Sequence, residues 1–517
     1  MAEREGMKRR TIMKGLATMA SYPIWGSLAD QARADAQPLT QQGADVVVIG
    51  AGYSGLACTL ALQQAGLSVL LLEARDRPGG RCLNQRLPAP FEQFVVEAGA
   101  EFIGPGHDRM YALAQTYGIG TFPTYNKGKL VGYIDGNRSE YSGIIPRGSL
   151  LGSAEAGIAM ARLDAMAADV PLEAPWTAKQ ALEWDGQTVQ TWVDQNVFSQ
   201  AAKKLIRLAV SAVFSAEPRE LSLLYLLFYI HAAGKLETLI STAGGAQQDR
   251  LVGGSQRIAL AMAQAIGDSL VYSTPVHAAE DQGDLVAIQT AHQTIMAKHV
   301  VVAMSPWMAS RIQFTPLSPA MQLRMQLMQR APMGTIMKVN AIYEKPFWRD
   351  AGLNGQITSD TFLPTATFDS TPEQDGAPGV LLGFINGKDA RQALAMAPEE
   401  RKKAVLDAFQ VYFGPQAGFP LGYIEKNWQE ETWSGGGPVG LFTPGLLSEY
   451  GPVLRVSTGR IHWAGTEITL EWTGYMEGAG RSGERAAQEV LGLNLGQAND
   501  LDGYRIKSPA FSCLRPI

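Results

Sequence analysis

The sequence predicts an α/β fold built around a parallel sheet, and three observations near its beginning predict it. Residues 45–49 form a nearly continuous apolar run, which is typical of a strand buried on both faces of a parallel sheet. A glycine-rich turn follows at once and leads into a helix-compatible segment over residues 56–65. Residues 67–72 form a second apolar run, which ends at Glu73.

The turn has the spacing of a dinucleotide-binding site. Small residues there allow a tight turn and let a pyrophosphate approach the backbone at the positive end of the following helix. The residues concerned are Gly50, Gly52, Ser54 and Gly55. Glu73 lies 18 residues after Gly55, where a carboxylate accepts hydrogen bonds from an adenosine ribose and disfavours a 2′-phosphate. Glycine-rich turns also occur by chance, so the prediction depends on the whole order of strand, glycines, helix, strand and acid.

Composition excludes several other classes of protein. A chain of 517 residues has room for two or more domains. Its net charge is −5 and it has no run of Lys or Arg that could line a phosphate track, so we expect no nucleic-acid partner. The three cysteines, Cys58, Cys82 and Cys513, include no CxxC pair and do not make a disulfide framework. The six histidines are scattered, so no metal site is expected.

The two ends of the chain suggest an exported protein without a membrane anchor. Residues 8–14 resemble the twin-arginine export signature, and a mildly apolar stretch and Ala-x-Ala cleavage sites follow. We therefore expect a signal peptide over residues 1–36 and a periplasmic mature protein; the alternative is a basic N-terminus without a targeting role. The tail over residues 493–517 is polar and lacks an apolar anchor.

A second small-residue segment follows Glu73. Two adjacent glycines between arginines bring backbone N–H groups and guanidinium donors against phosphate oxygens. The candidates are Ala74, Arg75, Gly79, Gly80 and Arg81, and Gly99 and Ala100 give another close approach, suited to a flat ring. With the turn and the acid, this R-x-G-G-R segment resembles the flavin amine oxidase superfamily, which includes monoamine, polyamine and L-amino acid oxidases.

The resemblance covers about residues 44–492 and implies an FAD-binding Rossmann-like (GR2-type) domain interleaved with an α+β substrate-binding domain. The FAD domain is expected over residues 44–125, 245–330 and 445–492, and the substrate domain over residues 126–244 and 331–444. The strand-like residues 270–276 and 298–304 fall in the FAD domain. By resemblance, Val276 belongs to a strand whose backbone contacts the adenosine side of FAD.

Residues 105–240 lack a βαβ rhythm and are predicted to be mainly helical. Residues 221–233 are almost wholly apolar but too few to span a membrane, which favours a buried helix. The resemblance places Ile240 at the gate of the substrate cavity and Gln247 on its wall. Ordinary packing for Ile240 and an exposed loop position for Gln247 are the alternatives.

Lys338 lies in a β-prone segment over residues 335–343 and shares a face with Ile336 and Ile342. An ammonium there is costly unless it is paired, neutralised or exposed. The segment is similar to the one in monoamine oxidases whose lysine holds a water at flavin N5. On that basis Lys338 assists reoxidation of the flavin.

Two positions depart from the monoamine oxidase pattern. Gly437 stands where vertebrate enzymes have the cysteine that binds the flavin covalently, and Pro438 stands where they have a cage tyrosine. The resemblance therefore implies noncovalent FAD and a different pocket wall. Trp428 matches the tryptophan beside the isoalloxazine ring, although a buried tryptophan is often only part of a core.

The last motif closes the expected site. A strand ends at residue 464, and Gly465 and Glu467 follow it, with Glu467 expected to act on the ribityl or phosphate side through its neighbours. From Gly474 a helix is predicted whose N-terminal amides face the flavin. Tyr475 matches the second aromatic-cage residue, and Met476 follows it.

The resemblance implies an FAD-dependent amine oxidase. A small-molecule amine would lose a hydride equivalent to flavin N5, and O2 or a periplasmic electron carrier would accept the electrons. A homodimer is compatible with the sequence. An L-amino acid oxidase is the nearer alternative and would need an arginine for the carboxylate; the candidates are Arg207, Arg311 and Arg481. A non-amine FAD enzyme, such as a desaturase or porphyrinogen oxidase, is the more distant one.

Overall fold

The computed structural model describes residues 43–146 and 150–492, so the predicted signal segment and tail lie outside the described residues. The α-helices are α1 (Tyr53–Gln64), α2 (Asp108–Thr116), α3 (Leu150–Ala168), α4 (Ala181–Asp185), α5 (Val189–Asn196), α6 (Gln200–Phe214), α7 (Leu223–Ala233), α8 (Leu236–Ile240), α9 (Gln256–Ile266), α10 (Pro306–Ala309), α11 (Pro319–Gln329), α12 (Phe347–Asp350), α13 (Gly387–Leu394), α14 (Pro398–Phe413), α15 (Leu446–Tyr450) and α16 (Met476–Val490).

The strands fall into two large sheets and two short pairs. They are β1 (Ala44–Ile49), β2 (Val69–Leu72), β3 (Asn84–Arg86), β4 (Val95–Glu97), β5 (Thr121–Pro123), β6 (Lys129–Ile134), β7 (Asn137–Tyr141), β8 (Asp249–Leu251), β9 (Leu270–Val271), β10 (Val276–Asp281), β11 (Val286–Thr290), β12 (Thr294–Ala303), β13 (Gln313–Thr315), β14 (Ile336–Tyr343), β15 (Leu353–Ser359), β16 (Ala366–Asp369), β17 (Gly379–Asn386), β18 (Gly422–Asn427) and β19 (Ile461–Ala464). β3 pairs with β4, and β5 pairs with β8.

The first large sheet contains the predicted dinucleotide unit. Its order is β13-β10-β11-β12-β1-β2-β9, with β19 beside β12. β1 is parallel to both β2 and β12, and β12 is parallel to β19. Ile49 is paired with Leu72 and with Val302, and Ala303 is paired with Ala464. Four parallel strands therefore end at one edge, which is where open α/β sheets bind their ligands.

The second large sheet is mostly antiparallel, in the order β18-β14-β17-β16-β15-β6-β7. Its strands come from residues 129–141 and 336–427, between the segments that form the first sheet. Each large sheet has its own hydrophobic core. The predicted α/β fold with an interleaved second domain is confirmed. The residue limits of the two domains stay predictions.

The prediction that residues 105–240 are mainly helical is confirmed by α2 to α8, and residues 121–141 are an exception because they form β5, β6 and β7. The β6–β7 hairpin turns at Asp135 and Gly136, whose φ angles are 52° and 77°. An Asp-Gly pair at positive φ between alternating residues is a strong hairpin signal, and the helical prediction overlooked it. Downstream, the buried helix predicted over residues 221–233 is confirmed as α7.

The strand-like residues 270–276 also differ from the prediction, since they do not form one strand. β9 ends at Val271 and β10 begins at Val276. Between them the chain makes a turn in which the Thr274 N–H donates to the Glu73 carbonyl, 2.8 Å away. Ser273 there has φ of 51°. The break carries the chain past the end of β2, which brings Val276 to the same edge of the sheet as Glu73.

Candidate active site

One cavity of about 640 Å³ collects nearly all the residues that the sequence nominated. The members predicted to bind cofactor that line it are Gly50, Gly52, Ser54, Glu73, Ala74, Arg75, Gly79, Gly80, Arg81, Gly99, Ala100, Val276, Gly465, Gly474, Tyr475 and Met476. Lys338, Trp428, Ile240, Gln247 and Pro438 line it as well. Gly55 and Glu467 do not line the cavity, and the structure gives each of them another role.

Gly55 lies in the first turn of α1 and serves packing. A Cβ at this position would lie 1.8 Å from the carbonyl oxygen of Gly50. Only a residue without a side chain lets α1 sit this close to the end of β1. At Gly52, by contrast, a Cβ would meet no atom within 4 Å. The space above Gly52 is open, as an approaching phosphate requires.

Two helix N-termini face the cavity. α1 follows Gly52 and α16 follows Tyr475, and neither has a side-chain cap. The first N–H groups of a helix have no partner within it and carry a partial positive charge. The end of α1 therefore suits a pyrophosphate, and the end of α16 suits a group that becomes anionic.

The carboxylate of Glu73 is buried at the end of β2. Its Oε2 accepts from the Ala51 N–H at 2.7 Å, and its Oε1 accepts from the Arg75 N–H at 2.9 Å. Arg75 in turn lies 3.0 Å from Glu431 and donates to the Ser434 hydroxyl at 2.8 Å. Backbone amides thus fix the carboxylate at the cavity wall, where a ribose would meet it.

Glu467 acts on the cavity through Arg81. Its side chain is fully buried, and its Oε1 lies 2.6 Å from Arg81 Nη1. The same Nη1 donates to the Pro438 carbonyl at 2.6 Å. Burial alone would lower the pKa of Arg81, but the carboxylate of Glu467 outweighs that effect and raises it. Arg81 is therefore a fixed cation on the cavity wall.

Lys338 is buried, so an exposed or snorkelling position for it is excluded. The residue is 2% exposed, and its Nζ lies 2.6 Å from Glu101 Oε2. Nζ also donates to the Gly99 carbonyl at 2.8 Å. Glu101 was not nominated from the sequence, although a lysine predicted in a buried strand signals that a carboxylate partner exists.

Trp428 lies beside Gly99, at the same corner. Its Nε1 donates to the Ala98 carbonyl at 2.8 Å. A Cβ at Gly99 would lie 2.1 Å from the Arg81 carbonyl oxygen and 3.0 Å from the Trp428 ring. The backbone at Gly99 carries no side chain and the Trp428 ring lies beside it, which suits a flat ring placed against the backbone.

Tyr475 is held by other aromatic rings. Its ring centroid is 5.3 Å from that of Trp472 and 5.5 Å from that of His107. Burial raises the pKa of the Tyr475 phenol well above its usual range, so the phenol stays neutral. Gly474 has φ of 87°, and a Cβ there would lie 2.1 Å from the Tyr229 hydroxyl.

The remaining wall is mainly apolar, with aliphatic side chains and several aromatic rings, and a few polar groups that include Glu237. Phe102 and Phe368 line the cavity with their ring centroids 5.0 Å apart, and Phe384 packs on Phe368. Thr242 donates to Gln356 at 3.1 Å, and both line the cavity. The Gln247 side-chain N–H donates to the Leu239 carbonyl at 3.0 Å. Gln247 was predicted from the sequence, whereas Phe102, Gln356, Phe368 and Phe384 were missed because no motif identifies them.

A cradle of this kind at the carboxyl edge of a parallel sheet, open to a mainly apolar chamber, defines an oxidoreductase that binds a dinucleotide cofactor. The site fits FAD: amides for the pyrophosphate, a carboxylate for the ribose, and a bare backbone flanked by Trp428 for the ring. The chain belongs to the family of flavin containing amine oxidoreductases, whose family model matches residues 53–491.

Relatives agree over most of the chain. It is 38% identical over 450 residues to a protein of Mycobacterium tuberculosis named flavin-containing monoamine oxidase AofH, covering 87% of this chain and 97% of that one. It is 36% identical over 452 residues to the flavin-containing amine oxidase of Oncorhynchus mykiss, covering 86% and 85%.

Solved structures agree as well. Cyclohexylamine oxidase from Brevibacterium oxydans superposes with a TM-score of 0.83 at 34% identity, covering 87% of this chain and 99% of that one. Putrescine oxidase bound to putrescine superposes with a TM-score of 0.82 at 29% identity, with the same coverage. The protein is an FAD-dependent oxidoreductase that acts on amines.

The described residues contain neither a helix that could span a membrane nor a cluster of potential metal ligands. No helix in residues 43–146 and 150–492 combines the length and the apolar character needed to cross a bilayer. In the same ranges, no three His, Cys, Asp or Glu side chains come together as potential metal ligands.

Proposed function

We propose that the apolar chamber takes a neutral amine without an α-carboxylate and presents its α-carbon at the corner formed by Lys338, Trp428 and Tyr475. The observation that carries this proposal is that these three side chains line the same cavity as the dinucleotide cradle. The relatives named above include oxidases of a cyclic monoamine and of a diamine. The aromatic wall of Phe102 and Phe368 favours an apolar amine.

FAD held in this cradle would supply the acceptor for a hydride equivalent from the amine α-carbon, and the imine so formed would hydrolyse to an aldehyde or ketone. Tyr475 presents a ring to the amine and, with Trp428, keeps water away from the reacting carbon. The N-terminus of α16 supplies amide donors beside the ring. Ile240 and Gln247 border the chamber as gate and wall, and Pro438 leaves room where a second cage ring would stand.

For Lys338 we propose the task of holding a water at the flavin. An ammonium has three N–H donors, and the Gly99 carbonyl and the Glu101 carboxylate use two of them. Because Lys338 also lines the cavity, the third donor is available to a water there. Such a water would deliver or accept a proton when the reduced cofactor is reoxidised.

The arginines considered as partners for an amino acid carboxylate are paired with other carboxylates or are exposed. Arg207 is paired with Glu217 at 2.7 Å, and Arg481 is paired with Glu477 at 2.6 Å; neither lines the cavity. Arg311 does line it, but it is exposed and stacks on Trp307, 5.9 Å from the ring centroid. This arrangement supports an amine rather than an α-amino acid as substrate.

The proposal is tested by anaerobic bleaching of the flavin. Purified holoenzyme is mixed in turn with primary amines, secondary amines, polyamines and L-amino acids. Bleaching by amines that lack an α-carboxylate supports the proposal, and bleaching by L-amino acids alone would contradict it. Admitting air then shows whether O2 is the acceptor or whether a periplasmic carrier is required.

We also propose that the protein is exported by the twin-arginine route with residues 1–36 removed, which suits an enzyme that acquires FAD before export. The support is the motif over residues 8–14. N-terminal sequencing of protein from its native host tests this, and an intact Met1 would contradict it. A homodimer is a further proposal, which sedimentation analysis of the holoenzyme would test.

A further inference from the structure

Glu101 sits between two buried cations. Its Oε2 lies 2.6 Å from Lys338 Nζ, and its Oε1 lies 2.8 Å from Arg250 Nε. The Ser370 hydroxyl donates to the same Oε1 at 2.6 Å. Glu101 is 3% exposed, while Lys338 and Arg250 are each 2% exposed. A carboxylate in this position is held ionised by its neighbours rather than by water.

A fourth charge completes the cluster. Glu97 Oε2 lies 2.9 Å from Arg250 Nη2, and Glu97 is 1% exposed. Burial and the nearby Glu101 raise the pKa of Glu97 despite Arg250. Burial also acts on Glu101, but Lys338 and Arg250 outweigh it and lower its pKa. Of the two carboxylates, only Glu101 contacts Lys338.

We propose that Glu101 is the positioning residue that keeps the Lys338 ammonium charged and aimed into the cavity, and this rests on the proposed role of Lys338 at the flavin. The two residues that flank Lys338 in the sheet do not form an ion pair with it. On one side its Nζ lies 5.4 Å from the Phe384 ring centroid. On the other, the cross-strand residue is Lys426, whose own ammonium pairs with Glu431 at 2.7 Å.

Removing the charge of Glu101 leaves the buried Lys338 ammonium without a paired carboxylate, because the remaining one, Glu97, pairs with Arg250 and not with Lys338. An uncompensated buried charge is strongly unfavourable, and of the two cations only lysine can lose its proton. In Glu101→Gln we therefore expect Lys338 to be neutral at high pH and protonated only at lower pH. Asp369, which faces Arg250 from β16, is paired with Arg349 at 2.7 Å and does not replace Glu101.

The first readout is the rate of reoxidation by air of the reduced holoenzyme between pH 6 and pH 10. We expect Glu101→Gln to be slower than the parent on the order of 10²-fold at the alkaline end, as for loss of one electrostatic donor, and to recover toward acid pH. Glu97→Gln removes the same charge from the same cluster without contacting Lys338, and it should keep the parent profile. Glu101→Asp, which keeps the charge, should restore much of the rate.

The second readout is the thermal unfolding midpoint of the holoenzyme over the same pH range, which needs no turnover. A neutral buried Lys338 takes up a proton on unfolding, so the unfolded state binds more protons and stability rises with pH. Relative to the parent, Glu101→Gln should gain stability from pH 7 to pH 10, and Lys338→Met/Glu101→Gln should lack this gain.

The outcomes separate the two proposals. Parent-like profiles of Glu101→Gln in both readouts would overturn the inference, as would a double variant that reoxidises much more slowly than Lys338→Met. A changed unfolding profile with an unchanged reoxidation profile would overturn the task assigned to Glu101 at the flavin. If Lys338→Met itself reoxidises like the parent, the proposed function of Lys338 fails, and the unfolding profile alone then decides whether Glu101 keeps it charged.

Discussion

Arg81 Nη1 and Glu467 Oε1 lie 2.6 Å apart, although 386 residues separate them in the chain. Arg81 belongs to the segment that follows β2, and Glu467 follows β19. The pair joins the first and last parts of the cofactor cradle, and the carboxylate is buried with the arginine as its cation. The cradle therefore depends on a contact that forms only when the whole sheet is assembled.

Glu467→Gln should weaken FAD binding by about tenfold or more, because Arg81 loses the carboxylate that holds it in place. Quenching of flavin fluorescence on titrating the flavin-free protein would measure the dissociation constant. Glu425→Gln is the matched control, since it breaks the Arg401–Glu425 pair, which does not line the cavity. Equal FAD affinities in the two variants would contradict the role given to Glu467.

Lys338→Met should slow reoxidation of the reduced holoenzyme far more than its reduction by amine, by on the order of 10²-fold. The reason is that methionine fills most of the space of the lysine side chain but has no N–H with which to hold a water. Stopped-flow measurement of the two half-reactions gives both rate constants. Lys426→Met serves as control, because Lys426 is the cross-strand neighbour of Lys338 and does not line the cavity. Equal slowing of both half-reactions by Lys338→Met would exclude the assigned role.

Tyr475→Ala should lower the rate of anaerobic reduction by amine by about tenfold or more, since the ring that confines the amine is lost. Tyr475→Phe should stay close to the parent, because the ring rather than the hydroxyl is proposed to act. Rapid mixing under nitrogen gives the limiting rate for each. A large loss in the phenylalanine variant would assign the role to the hydroxyl instead.

Gly55→Ala and Gly52→Ala should fail in different ways. The first places a Cβ 1.8 Å from the Gly50 carbonyl oxygen and should lower the unfolding midpoint sharply or abolish soluble protein. The second places a Cβ in open space at φ of −74°, so the protein should fold but bind FAD more weakly. Thermal unfolding and bound-flavin content distinguish them, and a stable Gly55→Ala protein would contradict the packing assigned to α1.

The parts of the fold that were predictable are those encoded by neighbouring residues. β1, α1 and β2 follow from apolar runs and a glycine turn within residues 45–73, and the Gly474–Met476 segment begins a helix as expected. The contacts that complete the site could not be predicted in the same way. Glu101 lies 237 residues from Lys338, and nothing local in the sequence identifies it as the partner. The β6–β7 hairpin was predictable from Asp135 and Gly136 but was missed.

Anaerobic mixing of the holoenzyme with 2-phenylethylamine and with L-phenylalanine, which differ only in the α-carboxylate, distinguishes an amine oxidase from an amino acid oxidase. We predict that the amine bleaches the flavin and that the amino acid leaves the spectrum unchanged, because the arginines nominated for a carboxylate are paired outside the cavity or stacked at its exposed side. Bleaching by L-phenylalanine alone would contradict the account and identify an amino acid oxidase.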